Sequence, residues 1–255
     1  MAGIYIHIPF CKQACHYCNF HFSASTQLLD KMVNAICKEI ALQQDFFEDA
    51  NLVIETIYFG GGTPSLLPTK ATAQILDTIN LHFNVNATAE ITLEANPGTI
   101  DTNHFEGYKD AGVTRVSLGI QSFNDMHLKS LGRIHNSQEA KKGIEIAMHH
   151  FDEVNLDLMY ALPHQTLDEA IDDAKTATSF NTRHLSFYHL TIEPNTLFFK
   201  HPPQLPLDDE SAVMQETIEV ILSEHGYKHY ETSAFAKPKS QCQHNLNYWQ
   251  FGDYI

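Results

Sequence analysis

The sequence predicts an α/β protein organised on a parallel sheet. Three observations lead there: β-rich runs alternate six times with helical patterns, the composition supports one barrel-sized core, and the chemistry-bearing residues fall just after the strands. With 255 residues, 43% hydrophobic and 18% charged, and only 12 Gly and 10 Pro, the chain suits one folded domain of that class. It does not suit disorder or a fibrous repeat.

The elements follow in order. Ile4 to Ile8 opens the chain as the first β-rich run, and Leu28 to Phe47 carries apolar residues at three- and four-residue steps, the helical period. Thr56 to Phe59 is the second strand and Pro68 to His82 the second helix. Glu90 to Leu93 precedes the helical Thr102 to Ala111, and Arg115 to Gly119 precedes Ser137 to His150. Asn155 to Met159 with Leu167 to Ser179 make the fifth unit, and His184 to His189 is the sixth strand. Such alternation demands right-handed crossovers and a parallel sheet, either an open doubly wound one or a closed or partial βα barrel. After Glu193 the texture turns Pro-rich (Pro194, Pro202, Pro203, Pro206), followed by an amphipathic helix from about Asp208 to Glu224 and a strand around Lys228 to Ser233. The chain then stops on an aromatic stretch, Asn-Tyr-Trp-Gln-Phe-Gly-Asp-Tyr-Ile, with no polar tail. The expectation is a cut within a longer protein.

Composition excludes several classes. Sixteen Lys+Arg against 31 Asp+Glu give a formal charge of -15, which argues against nucleic acid or an anionic membrane as a partner. The first residues lack the basic flank and apolar stretch of a signal peptide, and no run reaches the roughly 18 apolar residues of a membrane span. Five cysteines do not make a disulfide framework, and three of them crowd together as Cys11-Lys-Gln-Ala-Cys15-His-Tyr-Cys18. A reducing cytoplasm is the expected setting.

Ligands of parallel α/β folds gather at the carboxyl ends of the strands. Here those ends carry Cys11, Cys15 and Cys18, then Gly60 to Pro64, Glu94 to Pro97, Gln121 to Phe123 and Arg133, with Asp157 inside strand five. Three thiolates on a short loop can each take one iron of a cubane cluster, leaving the fourth iron open to a small molecule. A zinc site completed by His16 or His21 is the competing reading. Covalent c-type haem attachment is disfavoured, because Asn19 stands where that motif requires His. The Gly60-Gly61-Gly62-Thr63-Pro64 run lets backbone approach a ligand closely, and read alone it is equally a strand-to-helix turn.

Taken together these segments resemble the radical S-adenosylmethionine (SAM) superfamily and its coproporphyrinogen dehydrogenase-like branch. The resemblance spans the chain. It is carried by Tyr5-Ile-His-Ile-Pro-Phe-Cys11, Gly60-Gly-Gly-Thr-Pro-Ser65, Glu94-Ala-Asn-Pro-Gly98, Gly119-Ile-Gln-Ser-Phe123, Leu131-Gly-Arg-Ile-His135, Asn155-Leu-Asp-Leu-Met159 and Thr191-Ile-Glu-Pro-Asn195. His244-Asn-Leu-Asn-Tyr-Trp249 resembles the His-Asn-x-x-Tyr-Trp signature of the haem-chaperone group within that branch. The dehydrogenase carries a fourth cysteine two residues after the third, where this chain has Phe20, and that departure favours the chaperone group.

The resemblance implies a partial (β/α)6 TIM-like barrel over residues 1–235, with 236–255 as the start of a C-terminal accessory region. It implies a [4Fe-4S] cluster on Cys11, Cys15 and Cys18, with SAM chelating the open iron. Tyr5, Gly61 and Glu94 match positions that contact this SAM in the dehydrogenase, and Tyr17, Gly62, Thr63, Gln121, Arg133 and Asp157 match a second SAM site. The plainer readings are that Arg133 pairs with an acidic neighbour and that Asp157 is a satisfied core group. Haem contacts are expected from His244, as an axial ligand, and from Tyr248 and Trp249; the structural alternative makes Trp249 core and His244 a cap. The implied function is a chaperone that binds haem as cargo and passes it to a client such as a respiratory enzyme, with an electron donor for the cluster and room for a dimer. The alternative is radical decarboxylation of coproporphyrinogen III, and the remote one a structural zinc protein.

Overall fold

A computed structural model describes residues 2–47, 52–99 and 102–255. Strands β1 (Ala2–Ile8), β2 (Val53–Gly61), β3 (Asn84–Ala95), β4 (Arg115–Gln121), β5 (Glu153–Tyr160) and β6 (His184–His189) alternate with helices α1 (Leu29–Phe47), α2 (Thr69–His82), α3 (Thr102–Asp110), α4 (Asp125–Ser130), α5 (Ser137–His150) and α6 (Leu167–Ser179). There follow α7 (Leu197–Lys200), α8 (Asp208–Glu224), β7 (Lys228–Glu231), β8 (Ala234–Ala236), α9 (Gln243–Trp249) and β9 (Asp253–Tyr254). The six expected strands and the expected helices are all present. α4, α7, α9 and β9 were not anticipated, and the strand expected around Lys228 to Ser233 is a hairpin of β7 and β8.

The sheet runs β7-β8-β6-β5-β4-β3-β2-β1-β9. β1 to β6 are parallel neighbours in chain order. β9 joins β1 in parallel, and the β7–β8 hairpin closes the far edge antiparallel to β6. Strand order decides between the two parallel architectures. A doubly wound sheet reverses its order at a switch point and carries helices on both faces. Right-handed crossovers between strands that follow one another in order put every helix on one face. The result is a mixed, open sheet of half-barrel type.

The register shows what each face holds. One face carries the apolar row Phe59, Leu93, Val116 and Val154 and the row Ala95, Leu118, Leu156 and Leu185. These are fully or almost fully buried with Ile75 and Ile79 of α2, Phe105 of α3, Ile144 and Ala147 of α5 and Ala174 of α6. The opposite face is polar: Tyr5, Tyr58, Thr92 and Arg115 form one row, and Glu94, Ser117, Asn155 and His184 the next. α9 packs across this polar face on β1 and β2, so the aromatic end of the chain covers the part of the inner face that lies below the carboxyl ends.

Caps fix the helices that deliver the later strands. Asn136 and Glu139 form a reciprocal capping box on α5, and Thr166 and Glu169 do the same on α6. Replacing Asn136 or Thr166 by Ala is expected to lower unfolding free energy by about 1 kcal/mol. Denaturant midpoints check this, and an unchanged midpoint for both variants would contradict the capping account.

Candidate cofactor site

The loop that follows β1 is tied to the turn after α4. His16 donates its N–H to the Leu131 carbonyl at 3.0 Å, its Nδ1 lies 2.8 Å from the Ser130 carbonyl, and Gln13 Nε2 donates to the Gly132 carbonyl at 3.0 Å. On the other side Phe198 donates its N–H to the His16 carbonyl at 3.0 Å. The loop is thus held by elements distant in sequence, and its three cysteines are half-buried and open onto one cavity of ≈ 390 Å³. His16 packs on the other side of the loop, in a separate groove, and neither it nor His21 lines the cavity. The fourth ligand of the zinc reading is therefore not supplied.

Among the described residues no three His, Cys, Asp or Glu side chains converge on one metal-ion position. All three thiols line the same cavity, as one cysteine per iron of a larger cluster requires. Burial is the main cause that holds the Cys11 and Cys18 thiols above their ordinary pKa. A bound cationic cluster reverses that, since coordination deprotonates the thiol. Two donors already face the sulfurs: Thr63 Oγ1 at 3.6 Å from Cys11 Sγ and Arg133 Nη1 at 3.5 Å from Cys15 Sγ.

The glycine run is shaped by this loop. Gly61 has φ +107°, and a Cβ there would stand 2.5 Å from the His7 ring. A Cβ on Gly62 would meet the Phe10 carbonyl at 2.7 Å and Cys11 Sγ at 3.0 Å. Only glycine lets β2 end directly beneath the first cysteine.

The floor is acidic. Glu94 accepts from the Tyr58 hydroxyl at 2.9 Å, and burial, reinforced by the nearby Asp157, raises its pKa to about 7. Asp157 accepts from the Ser117 hydroxyl at 2.6 Å and from Asn155 Nδ2 at 2.8 Å. Burial raises its pKa against those bonds. Asp157 is therefore both a hydrogen-bonded interior group and a cavity group. Among the described residues Arg133 pairs with no acid, contrary to the plainer expectation: its Nη2 donates to the Gly119 carbonyl at 2.7 Å, and its Nε has no partner there. Gln121, at φ +69°, ends β4 in a strained left-handed conformation at the cavity edge. Tyr17 lies beside Arg133, and burial raises its hydroxyl pKa far above the usual range.

The structure thus brings Tyr17, Gly61, Gly62, Thr63, Glu94, Gln121, Arg133 and Asp157 to the same cavity as the three cysteines. Tyr5 stands outside it, half-exposed, with its ring stacked on Tyr58 at 6.2 Å. Burial, then Glu94, pushes its hydroxyl up to about 12. Tyr58, Ser117 and Tyr188 also line the cavity and were not anticipated, although strand parity signals them: Glu94 and Ser117 are register partners. Phe20, Phe22 and Met159 give the lining an apolar part, and Phe20 is 59% exposed.

The aromatic motif lies elsewhere. His244 is buried, with Nδ1 2.8 Å from Thr56 Oγ1 and Nε2 3.1 Å from the Tyr248 hydroxyl, and burial lowers its pKa to about 4. Trp249 is 56% exposed, so it is not core, and the N-cap position before α9 is held by Cys242, which makes no side-chain cap bond. The structural alternative for this pair fails on both counts.

A Cys-x3-Cys-x2-Cys loop on the first strand of such a half barrel is the arrangement of radical SAM proteins, and the family model described as the radical SAM superfamily matches residues 5–177. The chain is 47% identical over 260 residues to the haem chaperone HemW of Escherichia coli (strain K12), which covers 99% of this chain and 67% of that protein. It is 35% identical over 262 residues to HemW of Bacillus subtilis (strain 168), covering 100% of this chain and 69% of that one. The solved structure of coproporphyrinogen III oxidase (HemN) from Escherichia coli matches with a TM-score of 0.85 at 25% identity, over 94% of this chain and 56% of that one. The chain spans about two thirds of the length of the HemW relatives. It belongs to the radical SAM superfamily and, within it, to the HemW family.

Glu94 carries a pH signature. Its pKa is raised from 4.5 to about 7 in the folded chain, so the folded state holds this proton more tightly than the unfolded one. Stability from this group is present below pH 4.5 and is lost as pH rises through about 7. Glu94→Gln is expected to flatten that slope and to leave the ligand-free variant more stable than the wild type at pH 8. Denaturation midpoints from pH 4 to 8 check it, and parallel profiles for the two proteins would contradict the assignment.

Proposed function

We propose that this chain is the cofactor-binding part of a haem chaperone, holding a [4Fe-4S] cluster and SAM in the cavity and passing haem to a client protein such as a respiratory enzyme. The observation that carries the reading is the convergence of three thiols, two half-buried carboxyls and one guanidinium on one cavity, in a chain whose relatives are named haem chaperones. Cys11, Cys15 and Cys18 bind the irons. When bound, the reduced cluster supplies one electron to the sulfonium of SAM.

The rest is done by the chain. Glu94, once ionised, accepts from the SAM ammonium or a ribose hydroxyl. Gly61 and Gly62 give ligand atoms access to backbone, and Tyr5 braces the wall by its stack on Tyr58. The groups around Arg133, namely Tyr17, Thr63, Gln121 and Asp157, form the part of the cavity where a second SAM would sit. Arg133 brings the positive charge that a SAM carboxylate needs.

Haem is proposed to lie on the exposed rings of Tyr248 and Trp249 at the end of α9. His244 ligates its iron only by giving up its bonds to Thr56 and Tyr248. The proposed setting is the cytoplasm, with a one-electron donor for the cluster; among the described residues no helix is long and apolar enough to cross a membrane. Phe20, in place of the dehydrogenase's fourth cysteine, weighs against radical decarboxylation of coproporphyrinogen III.

The decisive comparison uses anaerobically reconstituted full-length protein. Expected are haem transfer to an apo-haem protein and no protoporphyrinogen from coproporphyrinogen plus SAM, and the Cys11→Ala/Cys15→Ala/Cys18→Ala variant should lose its iron–sulfur absorption. Protoporphyrinogen formation would overturn the chaperone reading in favour of the dehydrogenase, and a cluster retained by the triple variant would overturn the ligand assignment.

A further inference from the structure

The motif on α9 and the acid in the cavity are two separate features of the sequence, 150 residues apart, and the structure joins them through a single side chain. Tyr58 donates its hydroxyl to Glu94 at 2.9 Å. The His244 imidazole stacks against the same ring, 5.0 Å between centroids with an interplanar angle of 25°. His244 in turn is pinned at both ring nitrogens, to Thr56 on the strand that carries Tyr58 and to Tyr248 on its own helix. Its backbone N–H donates to Glu90 Oε1 at 3.1 Å, which fixes the start of α9 to β3, the strand that carries Glu94. Gly3 makes room for the imidazole, since a Cβ there would approach Nδ1 to 3.2 Å and Thr56 Oγ1 to 2.7 Å.

We infer that His244 and Tyr58 are positioning residues for Glu94, so that the α9 segment and the SAM cavity form one coupled unit. The inference rests on the reading of Glu94 as a SAM contact. Tyr58 donates its hydroxyl to Glu94, and its ring stacks with two others, Tyr5 and His244. A ring held that way delivers its O–H to one place, and removal of either support lets the hydroxyl swing away from the carboxylate. A charge-assisted bond in a buried site is worth more than a neutral one, so losing it weakens the ionised state of Glu94 that SAM requires. The coupling is reciprocal. Drawing His244 out of its stack, whether by substitution or by an iron that takes its Nε2, loosens SAM, and bound SAM resists that withdrawal.

The test measures SAM affinity by calorimetry on cluster-loaded protein at several pH values for the wild type and for His244→Ala, His244→Phe and Tyr58→Phe. His244→Ala and Tyr58→Phe are each expected to bind SAM about tenfold more weakly, the size expected when a hydrogen bond to a charged group is lost. Both are also expected to raise the pH midpoint of SAM binding, because the Tyr58 bond lowers the Glu94 pKa. The other groups that face Glu94 are Asp157 on β5, Tyr5 on β1 and Tyr188 on β6, and all remain in these variants. His244→Phe keeps the stacked ring and is expected to restore most of the affinity, a rescue that loss of general stability would not give. Iron content should be unchanged in all three.

A wild-type affinity and pH midpoint in either His244→Ala or Tyr58→Phe would overturn the inference. If His244→Ala does not fold, His244→Leu, which removes the stacked ring but fills its space, decides in its place. Failure of the wild type itself to bind SAM would sink the cavity reading instead. In that case the ligand-free pH dependence of stability still tests the inference, because Tyr58→Phe must shift the Glu94 transition to higher pH, and an unmoved transition overturns it.

Discussion

Two half-buried carboxyls, Glu94 and Asp157, sit on the inner face of the sheet, and among the described residues neither is in an ion pair. Arg115 lies in the same interior, but its salt bridges go to Glu90 at 4.0 Å and Glu153 at 3.7 Å. The fold has to tolerate this. Burying a carboxylate without a cation is costly unless the group stays protonated or is well hydrogen-bonded, and the chain uses both solutions. Asp157 is wrapped by Ser117 and Asn155, and Glu94 is raised to about 7 with one hydroxyl donor. A cationic ligand relieves the remaining cost, so the ligand-free site is poised for an ammonium or a sulfonium.

The rest of the architecture serves that pair. Sequential strand order sends the helices to the outer face and leaves the inner one for polar side chains. The hydrogen bonds continue inward from Asn155 to His184 Nδ1 at 2.6 Å and from His184 Nε2 to the Tyr230 hydroxyl at 2.7 Å. This chain of partners holds the interior without an apolar plug. The cysteine loop, gripped by the turn after α4 and by Phe198, supplies a wall of thiols beside the acids. The glycines bring β2 close enough that the three thiols and the acidic floor share one cavity, and α9 covers the inner face from below.

Much of this was legible in the sequence, for identifiable reasons. β-rich runs and three- or four-residue steps located six strands and the long helices, because period and residue type are local properties. β3 begins earlier than expected, at Asn84, since its first residues are polar and carry no apolar signal. Strand order is not local, so the choice between doubly wound sheet and half barrel waited for the pairing. Resemblance placed eight cavity-lining positions on the cavity with the cysteines, and missed Tyr58, which carries no motif of its own. His244 shows the opposite limit: its motif was visible, while its stacking against Tyr58 depends on contacts 186 residues apart in the chain. The plainer reading of Arg133, as half of an ion pair, fails because the partners of its guanidinium among the described residues are a backbone carbonyl and a cysteine sulfur, neither of which sequence can point to.

The claim on which everything else rests is that the three thiols and the acidic floor serve one composite ligand, with SAM touching the cluster directly. The electron paramagnetic resonance spectrum of the reduced, reconstituted protein, recorded with and without SAM, tests it most directly. The account predicts that saturating SAM changes the cluster signal. An identical spectrum at a SAM concentration shown to saturate binding would contradict it, because SAM would then be bound away from the irons.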